Sequence, residues 1–338
     1  MTIAMPLIPA TVLTGFLGSG KTTLLRRVLT EAHGRKIAVI ENEFGEESID
    51  SEILISGGDE QIIQLSNGCL CCGIRDDLRA TLADLAERRR VGKIAFDQVM
   101  IETTGLADPG PIAQTFFLDQ EISASYRPDA VLTLVDAKHA MHQLDTRGEA
   151  RRQVGFADRL FISKTDLVDG DALLGLRDRL RSMNPRAAQS VVPFGEVSLD
   201  DVFEVRGFNL SPDLELEPVP ECDEYHDHGA AGHAHHHRHE DDVKSFVFRS
   251  ERPFHNTRFG QFMNAIVKSY GQALLRYKGV LHIAGHDRKV IFQGVHQLMS
   301  HALGTAWADA ERRESRLVFI GLHLPQALMN RSLQQCLL

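Results

Sequence analysis

The chain has 338 residues, of which 43% are hydrophobic and 25% are charged, and its formal net charge is −9. This length and composition predict a globular protein of about two domains, with enough apolar material for a core in each. Basic residues do not outnumber acidic ones and no apolar run is long enough to span a bilayer, so neither a nucleic-acid-binding protein nor a membrane protein is indicated.

A phosphate-binding loop lies between the first predicted strand (7–13) and the first predicted helix (22–33). Residues 15–22 read Gly-Phe-Leu-Gly-Ser-Gly-Lys-Thr, which matches the GxxxxGK[ST] pattern. Its glycines let successive N–H groups point at phosphate oxygens, and the helix start adds its positive dipole end. We expect Lys21 to reach the β- and γ-phosphates and the Thr22 hydroxyl to bind Mg²⁺. The predicted nucleotide contacts here are Gly15, Gly18, Ser19, Gly20, Lys21, Thr22 and Thr23.

Apolar runs alternate with amphipathic stretches over the first two hundred residues. Further strands are predicted at 36–40, 98–101, 130–135 and 159–162, and a helix at 75–90 has Leu78, Leu82 and Leu85 on one face. Such alternation is typical of a doubly wound α/β sheet that binds ligands at the carboxyl ends of its strands. The prediction is an α/β P-loop NTPase domain with a mostly parallel sheet, covering residues 1–208.

Three of the five cysteines crowd into the motif Cys-Leu-Cys-Cys at residues 69–72. Thiolates favour zinc, copper(I) and similar metals, and so few cysteines at this spacing do not suit a disulfide framework. Together with the lack of a secretory signal, this predicts a cytoplasmic protein. Acidic residues in Glu-Asn-Glu-Phe-Gly-Glu, after the second strand, could complete a metal site or could be solvated surface groups. The candidate ligands are Cys69, Cys71, Cys72, Glu41, Glu43 and Glu46.

The sequence Glu-Thr-Thr-Gly at 102–105 follows the predicted strand at 98–101. In nucleotide switches, the corresponding loop carries an acid near Mg²⁺ and a glycine whose N–H meets the γ-phosphate. We expect Glu102 to hold Mg²⁺ through water or to orient the attacking water, and Gly105 to meet the γ-phosphate. A turn cap is the alternative for Glu102. Asp108, which precedes a proline, is predicted to be a helix N-cap.

A guanine-binding motif of the [N/S/T]KxD type, Ser163-Lys164-Thr165-Asp166, ends the predicted strand at 159–162. An aspartate accepts hydrogen bonds from the guanine N1–H and exocyclic amine, whereas adenine would leave the carboxylate unpaired. The stem of Lys164 can stack along the base. We therefore expect Asp166 to select GTP over ATP.

The segment 209–242 differs in composition from the rest of the chain. It contains ten acidic residues against one basic residue, Arg238, and seven of the 16 histidines. We interpret it as a flexible linker whose histidines can bind metal loosely. A smaller α+β domain is predicted at 243–338, with strands at 244–248, 279–283, 289–292 and 316–322 and a helix near 258–269.

Taken together, residues 15–23, 41–46, 69–72, 102–109 and 163–166 resemble the CobW-type family of P-loop GTPases, with the YjiA-like branch nearest. The resemblance extends into the second domain through Arg-Tyr-Lys-Gly-Val-Leu at 276–281 and implies a CobW C-terminal type of domain there. Members of this family look like metal chaperones that bind Zn²⁺ and related ions and hydrolyse GTP slowly. The resemblance makes Cys71 the best-supported thiolate ligand, with Glu41 and Glu46 as carboxylate partners. Ser163 departs from the family, in which asparagine is common at this position.

The function predicted from the sequence is that of a GTP-dependent metallochaperone. It would use GTP, Mg²⁺ and Zn²⁺ or a related divalent metal, and would release the metal to an unidentified client metalloprotein on hydrolysis. Interleaving of the switch loops with the cysteine motif would let nucleotide state alter metal affinity. Two alternatives remain open at this point: a small-molecule kinase with a structural zinc, and a passive metal store that uses the histidine run.

Overall fold

The computed structural model describes residues 6–31, 34–42, 62–65, 74–208, 242–308 and 310–338. Within these residues, the first domain contains a sheet of seven parallel strands in the order β3-β2-β4-β1-β5-β6-β7. The strands are β1 (Ile8–Gly15), β2 (Ile37–Asn42), β3 (Ile62–Leu65), β4 (Gln98–Glu102), β5 (Tyr126–Asp136), β6 (Arg159–Ser163) and β7 (Ala188–Val191).

Helices cover both faces of this sheet. They are α1 (Lys21–Thr30), α2 (Ile74–Arg90), α3 (Pro109–Leu118), α4 (Gln120–Ser125), α5 (Ala140–Thr146), α6 (Gly148–Phe156) and α7 (Gly170–Met183). Leu13 packs with α1 on one face, whereas Val12 packs on the other face in the cluster that includes Leu82 of α2. Because both faces of β1, β2, β4, β5 and β6 are covered, these five strands are mostly apolar, which is why they could be predicted from the sequence. β3 and β7 were not predicted, and β7 (Ala-Gln-Ser-Val) has exposed and half-buried side chains.

The second domain, which comprises the described residues from 242 onward, contains an antiparallel sheet in the order β11-β10-β9-β12-β8. Its elements are β8 (Val243–Ser250), α8 (Asn256–Tyr270), β9 (Leu274–Leu281), β10 (Arg288–Val295), β11 (Leu298–Ala306), β12 (Ser315–Leu322) and α9 (Gln326–Gln335). Phe319 packs with Met263 of α8 and Met329 of α9 on one face. Val318 and Ile320, which point the other way, join the core of the first domain.

The predicted fold class is confirmed, and the differences have physical causes. β9 begins at Leu274, five residues before its predicted start, because Arg276 and Lys278 interrupt its apolar pattern although both are buried. β11 was not predicted, since its side chains alternate between exposed and half-buried over most of its length. No helix in the described part of the chain is long and apolar enough to cross a membrane.

Candidate functional site

The phosphate loop joins β1 to α1 at the carboxyl edge of the first sheet. Gly15 has a φ of +144°, and a Cβ there would lie 2.5 Å from the carbonyl oxygen of Leu134, so only glycine fits. The Lys21 side chain is 9% exposed, and its Nζ donates to the carbonyls of Gly15 at 2.9 Å and Phe16 at 3.3 Å. The buried Ser19 hydroxyl has no hydrogen-bond partner among the described residues. These donors suit a phosphate group.

Thr22 and Glu102 lie side by side where α1 begins and β4 ends. The Thr22 hydroxyl donates to Glu102 Oε1 at 2.9 Å, and Glu102 is only 6% exposed. Two oxygens at the foot of a phosphate loop fit the preference of Mg²⁺ for hard oxygen ligands. The structure therefore brings together the two residues that the sequence predicted to lie near Mg²⁺.

The loop after β4 lies against the phosphate loop. A Cβ on Gly105 would lie 2.6 Å from the backbone nitrogen of Leu17, so the two loops are in close contact at this point. Asp108 accepts a hydrogen bond from the Gly110 N–H at 2.9 Å, which confirms the predicted N-cap of α3. The carbonyls of Gly105 and Ala107 accept hydrogen bonds from Gln153 of α6, a residue that the sequence analysis did not identify.

The Ser-Lys-Thr-Asp motif also adjoins the phosphate loop. The Ser163 hydroxyl donates to the Ser19 carbonyl at 2.8 Å, so this side chain connects the end of β6 to the phosphate loop. Lys164 Nζ donates to the Gly18 carbonyl and to Asp136 Oδ2, both at 2.7 Å. Asp166 lies on the 3-10 turn Thr165–Leu167 and is exposed. Its carboxylate is accessible to a ligand, and recognition of guanine by Asp166 stays a prediction.

Asp136, at the end of β5, connects these loops electrostatically. Its side chain is 2% exposed and accepts from Lys164 and, at 3.0 Å, from His139 Nδ1. Burial opposes ionisation of Asp136, but the hydrogen bonds from Lys164 and His139 outweigh it and lower the pKa of this carboxyl. Asp136 is therefore anionic at neutral pH and holds Lys164 toward the phosphate loop.

Glu41 is the one candidate metal ligand of the cysteine–carboxylate set that falls within the described residues. It is the last residue but one of β2 and lies beside β4, where its register partner is Glu102, and it is 8% exposed. The strand β3 pairs with β2 on the other side, with Gln64 as the partner of Glu41. Outside the described residues lie Glu43, Glu46, Cys69, Cys71, Cys72 and the histidine run.

A complete metal site is not found in the described part of the chain. Among those residues, no group of three His, Cys, Asp or Glu side chains could hold a metal ion together. The ligand set with Cys71 therefore stays a prediction. Its cysteines lie in the sequence between the end of β3 and the start of α2.

Family models match most of the chain. The model described as CobW/HypB/UreG, nucleotide-binding domain, matches residues 9–191, and that of the cobalamin synthesis protein cobW C-terminal domain matches residues 243–337. The zinc chaperone YjiA of Escherichia coli is 42% identical over 319 residues, which cover 94% of this chain and 95% of that protein. The zinc chaperone CobW of Pseudomonas aeruginosa is 33% identical over 366 residues, covering 98% and 92% of the two chains.

Two solved structures are similar to this protein over almost its whole length. The crystal structure of the Zn(II)-bound YjiA GTPase from E. coli has a TM-score of 0.79 and 35% identity, covering 98% of this chain and 99% of that one. A Zn(II)-bound triple mutant of that GTPase, in which one glutamate and two cysteines are changed to alanine, has a TM-score of 0.80 and 35% identity, covering 99% and 100%. The family resemblance inferred from the motifs is confirmed.

Proposed function

Because this chain belongs to the CobW/HypB/UreG family, we propose that it is a zinc chaperone that binds and hydrolyses GTP and passes zinc to a client metalloprotein. The single observation that carries the proposal is the register of two neighbouring strands. Glu41, at the end of β2, is the partner of Glu102, whose carboxylate lies 2.9 Å from the Thr22 hydroxyl. A candidate zinc ligand and the nucleotide site thus share one edge of the sheet.

The described residues can supply the steps of GTP hydrolysis other than metal chemistry. Lys21 and the loop N–H groups would bind the phosphates, and Asp166 would accept from the guanine edge. Glu102 and Thr22 would hold Mg²⁺, which when bound neutralises charge on the phosphate oxygens. Glu102 would also orient the attacking water. Gly105, packed on the phosphate loop, would place its N–H at the γ-phosphate.

Zinc binding would be coupled to the nucleotide through β2 and β4. If GTP binding moves Glu102, the movement would reach Glu41 over one strand spacing, about 4.8 Å. If Glu41 and Cys71 share a zinc ion, GTP and zinc change each other's affinity by the same factor. Hydrolysis would then loosen the zinc site and release the ion to a client docked on the second domain.

The test is a measurement of zinc affinity of the full-length protein by chelator competition, with Mg²⁺ and either GDP or a non-hydrolysable GTP analogue. We expect one tight site whose affinity differs at least about tenfold between the two nucleotides, which corresponds to about 1.4 kcal/mol of coupling. Cys71→Ala should abolish the tight site. Cys336→Ala is the matched control, since Cys336 is buried in the second domain and donates to the Ser332 carbonyl.

Zinc binding by itself does not test the proposal, because the related triple mutant is also Zn(II)-bound. A variant with alanine in place of the seven histidines between 226 and 239 distinguishes a zinc chaperone from a passive metal store. A chaperone keeps its nucleotide-dependent tight site in that variant, whereas a store loses its zinc capacity. Equal zinc affinities with GDP and the GTP analogue would contradict the coupling.

A further inference from the structure

We propose that Gln153 is a positioning residue for the loop that follows β4, and that helix α6, which carries it, links this loop to the second domain. The inference rests on the proposed function, because residues 103–108 matter as a switch only if the chain hydrolyses GTP. The expected role of Gly105 at the γ-phosphate requires its backbone to be held within a fraction of an ångström.

The contacts of Gln153 show what holds the loop. Its side chain is 1% exposed, and Nε2 donates to the carbonyl oxygens of Gly105 at 3.1 Å and Ala107 at 3.0 Å. A side-chain amide nitrogen has two hydrogens, and both are used here on carbonyls two residues apart. Since Gly105 is packed against Leu17 on its other side, the loop is clamped between the phosphate loop and α6.

Helix α6 is itself held from both domains. In the first domain, the Thr133 hydroxyl donates to the Gln153 carbonyl at 3.1 Å. In the second domain, Arg276 of β9 donates to the carbonyl of Phe156, the last residue of α6, at 3.1 Å. A Cβ on Gly155 would lie 2.6 Å from Leu275 Cδ1, so the helix and β9 are in close contact. The residue that holds the loop is thus two positions from one that contacts the second sheet.

The second domain also reaches the far end of the loop. His296, in the turn between β10 and β11, places its ring 5.2 Å from that of Phe156. A Cβ on Gly110, in the first turn of α3, would lie 2.6 Å from His296 Nε2. The loop is therefore supported in its middle and at its end by groups in contact with the second domain. A client that shifts the second sheet would move the loop, and by reciprocity the nucleotide would alter client affinity.

The first test compares Gln153→Met, which keeps length and removes the donor, with Gln189→Met. Gln189 is a matched control, because it is half-buried in β7 and its Nε2 donates to the Arg177 carbonyl, outside this loop. We expect Gln153→Met to lower kcat for GTP at least about tenfold, as expected for a misplaced catalytic loop, with GDP affinity unchanged. Amide hydrogen exchange of peptides covering 103–110 should become faster in Gln153→Met and should stay at the wild-type rate in Gln189→Met.

The second test adds Leu275→Ala and the double variant with Gln153→Met. Through α6, Leu275→Ala should speed exchange in 103–110 and lower kcat in the wild-type background, and should add nothing once Gln153 is replaced. Additive effects on kcat would overturn the link to the second domain. Equal losses of GDP affinity and kcat in Gln153→Met, together with a lower Tm, would make Gln153 a structural residue only.

Hydrogen exchange keeps the two proposals apart. A wild-type protein without GTP hydrolysis would contradict the proposed function, whereas unchanged exchange in 103–110 on replacement of Gln153 would overturn the present inference whether or not GTP is hydrolysed. If Gln153→Met does not fold, Gln153→Asn serves in its place, because its amide is one methylene shorter and cannot reach both carbonyls.

Discussion

The ion pair between Arg276 and Asp158 offers the most direct test of how the two domains are joined. Its Nη2–Oδ1 distance is 2.8 Å, and the two side chains are only 4% and 3% exposed. Arg276 also donates to the Phe156 carbonyl, and its guanidinium lies 4.0 Å from the centre of the Phe208 ring. Arg276→Met would remove the charge and leave Asp158 buried without its main partner.

The expected loss of stability follows from that burial. Removing one member of a buried ion pair costs about 3–5 kcal/mol, because the remaining charge stays out of water. For a domain of this size, each kcal/mol shifts Tm by about 2–4 °C, so Arg276→Met should lower Tm by at least about 6 °C. Adding Asp158→Asn to the Arg276→Met variant removes the unpaired negative charge. The double variant should therefore recover part of the Tm that Arg276→Met loses.

Thermal unfolding followed by circular dichroism measures this effect. The matched control is Arg90→Gln, since the Arg90–Glu87 pair is exposed at 68% and 55% and such pairs add little to stability. A Tm for Arg276→Met within about 2 °C of the wild type would refute the reasoning. So would a double variant no more stable than Arg276→Met, because the penalty would then not come from the unpaired carboxylate of Asp158.

Two further predictions concern single residues. Burial, with a smaller contribution from nearby Arg186, lowers the pKa of Lys278 from the usual lysine value of 10.5 to about 7, so between these values the unfolded chain holds more protons than the folded one. The free energy of unfolding should therefore rise with pH between about 7 and 10.5. Lys278→Met should remove this rise and increase Tm at pH 7. An unchanged dependence of stability on pH in Lys278→Met would contradict the prediction. Asp166→Ala should weaken GDP binding about tenfold or more without affecting ADP, measured by competition with a fluorescent nucleotide. Parallel losses for both nucleotides would argue against base recognition by Asp166.

The nucleotide half of the site could be predicted because its geometry is local. Residues 15–22 match a phosphate-loop pattern that lies between a strand and a helix, so the sequence alone predicts that Lys21 binds phosphate. Glu102 and the Ser-Lys-Thr-Asp motif each end a strand, and parallel strands bring their carboxyl ends to one edge. Strand order was not needed for these predictions. It was needed for the proximity of Glu41 to Glu102, which alternation of strands and helices alone does not determine.

The contacts between domains could not be predicted, for a related reason. Arg276 and Asp158 are separated by 118 residues, and each alone is indistinguishable from a solvated surface charge in the sequence. The charged residues at 276 and 278 also interrupt the apolar pattern, so the first half of β9 was not predicted as a strand. Gln153 left a weaker signal, as a polar residue next to Val154 on a helix whose buried side is otherwise mostly apolar. Its partners, two backbone carbonyls, have no sequence signature at all.

The acidic, histidine-rich segment suggests two modules on a tether, but the packing of the described residues argues for closer coupling. Val318 and Ile320 of the second sheet belong to the same apolar cluster as Val154 and Phe156 of α6. Separating the domains would expose that cluster and unpair Arg276 from Asp158, so they should move as one body with α6 between them. A client bound to the second domain would then act on the loop at 103–108 through packed side chains rather than through the segment 209–242.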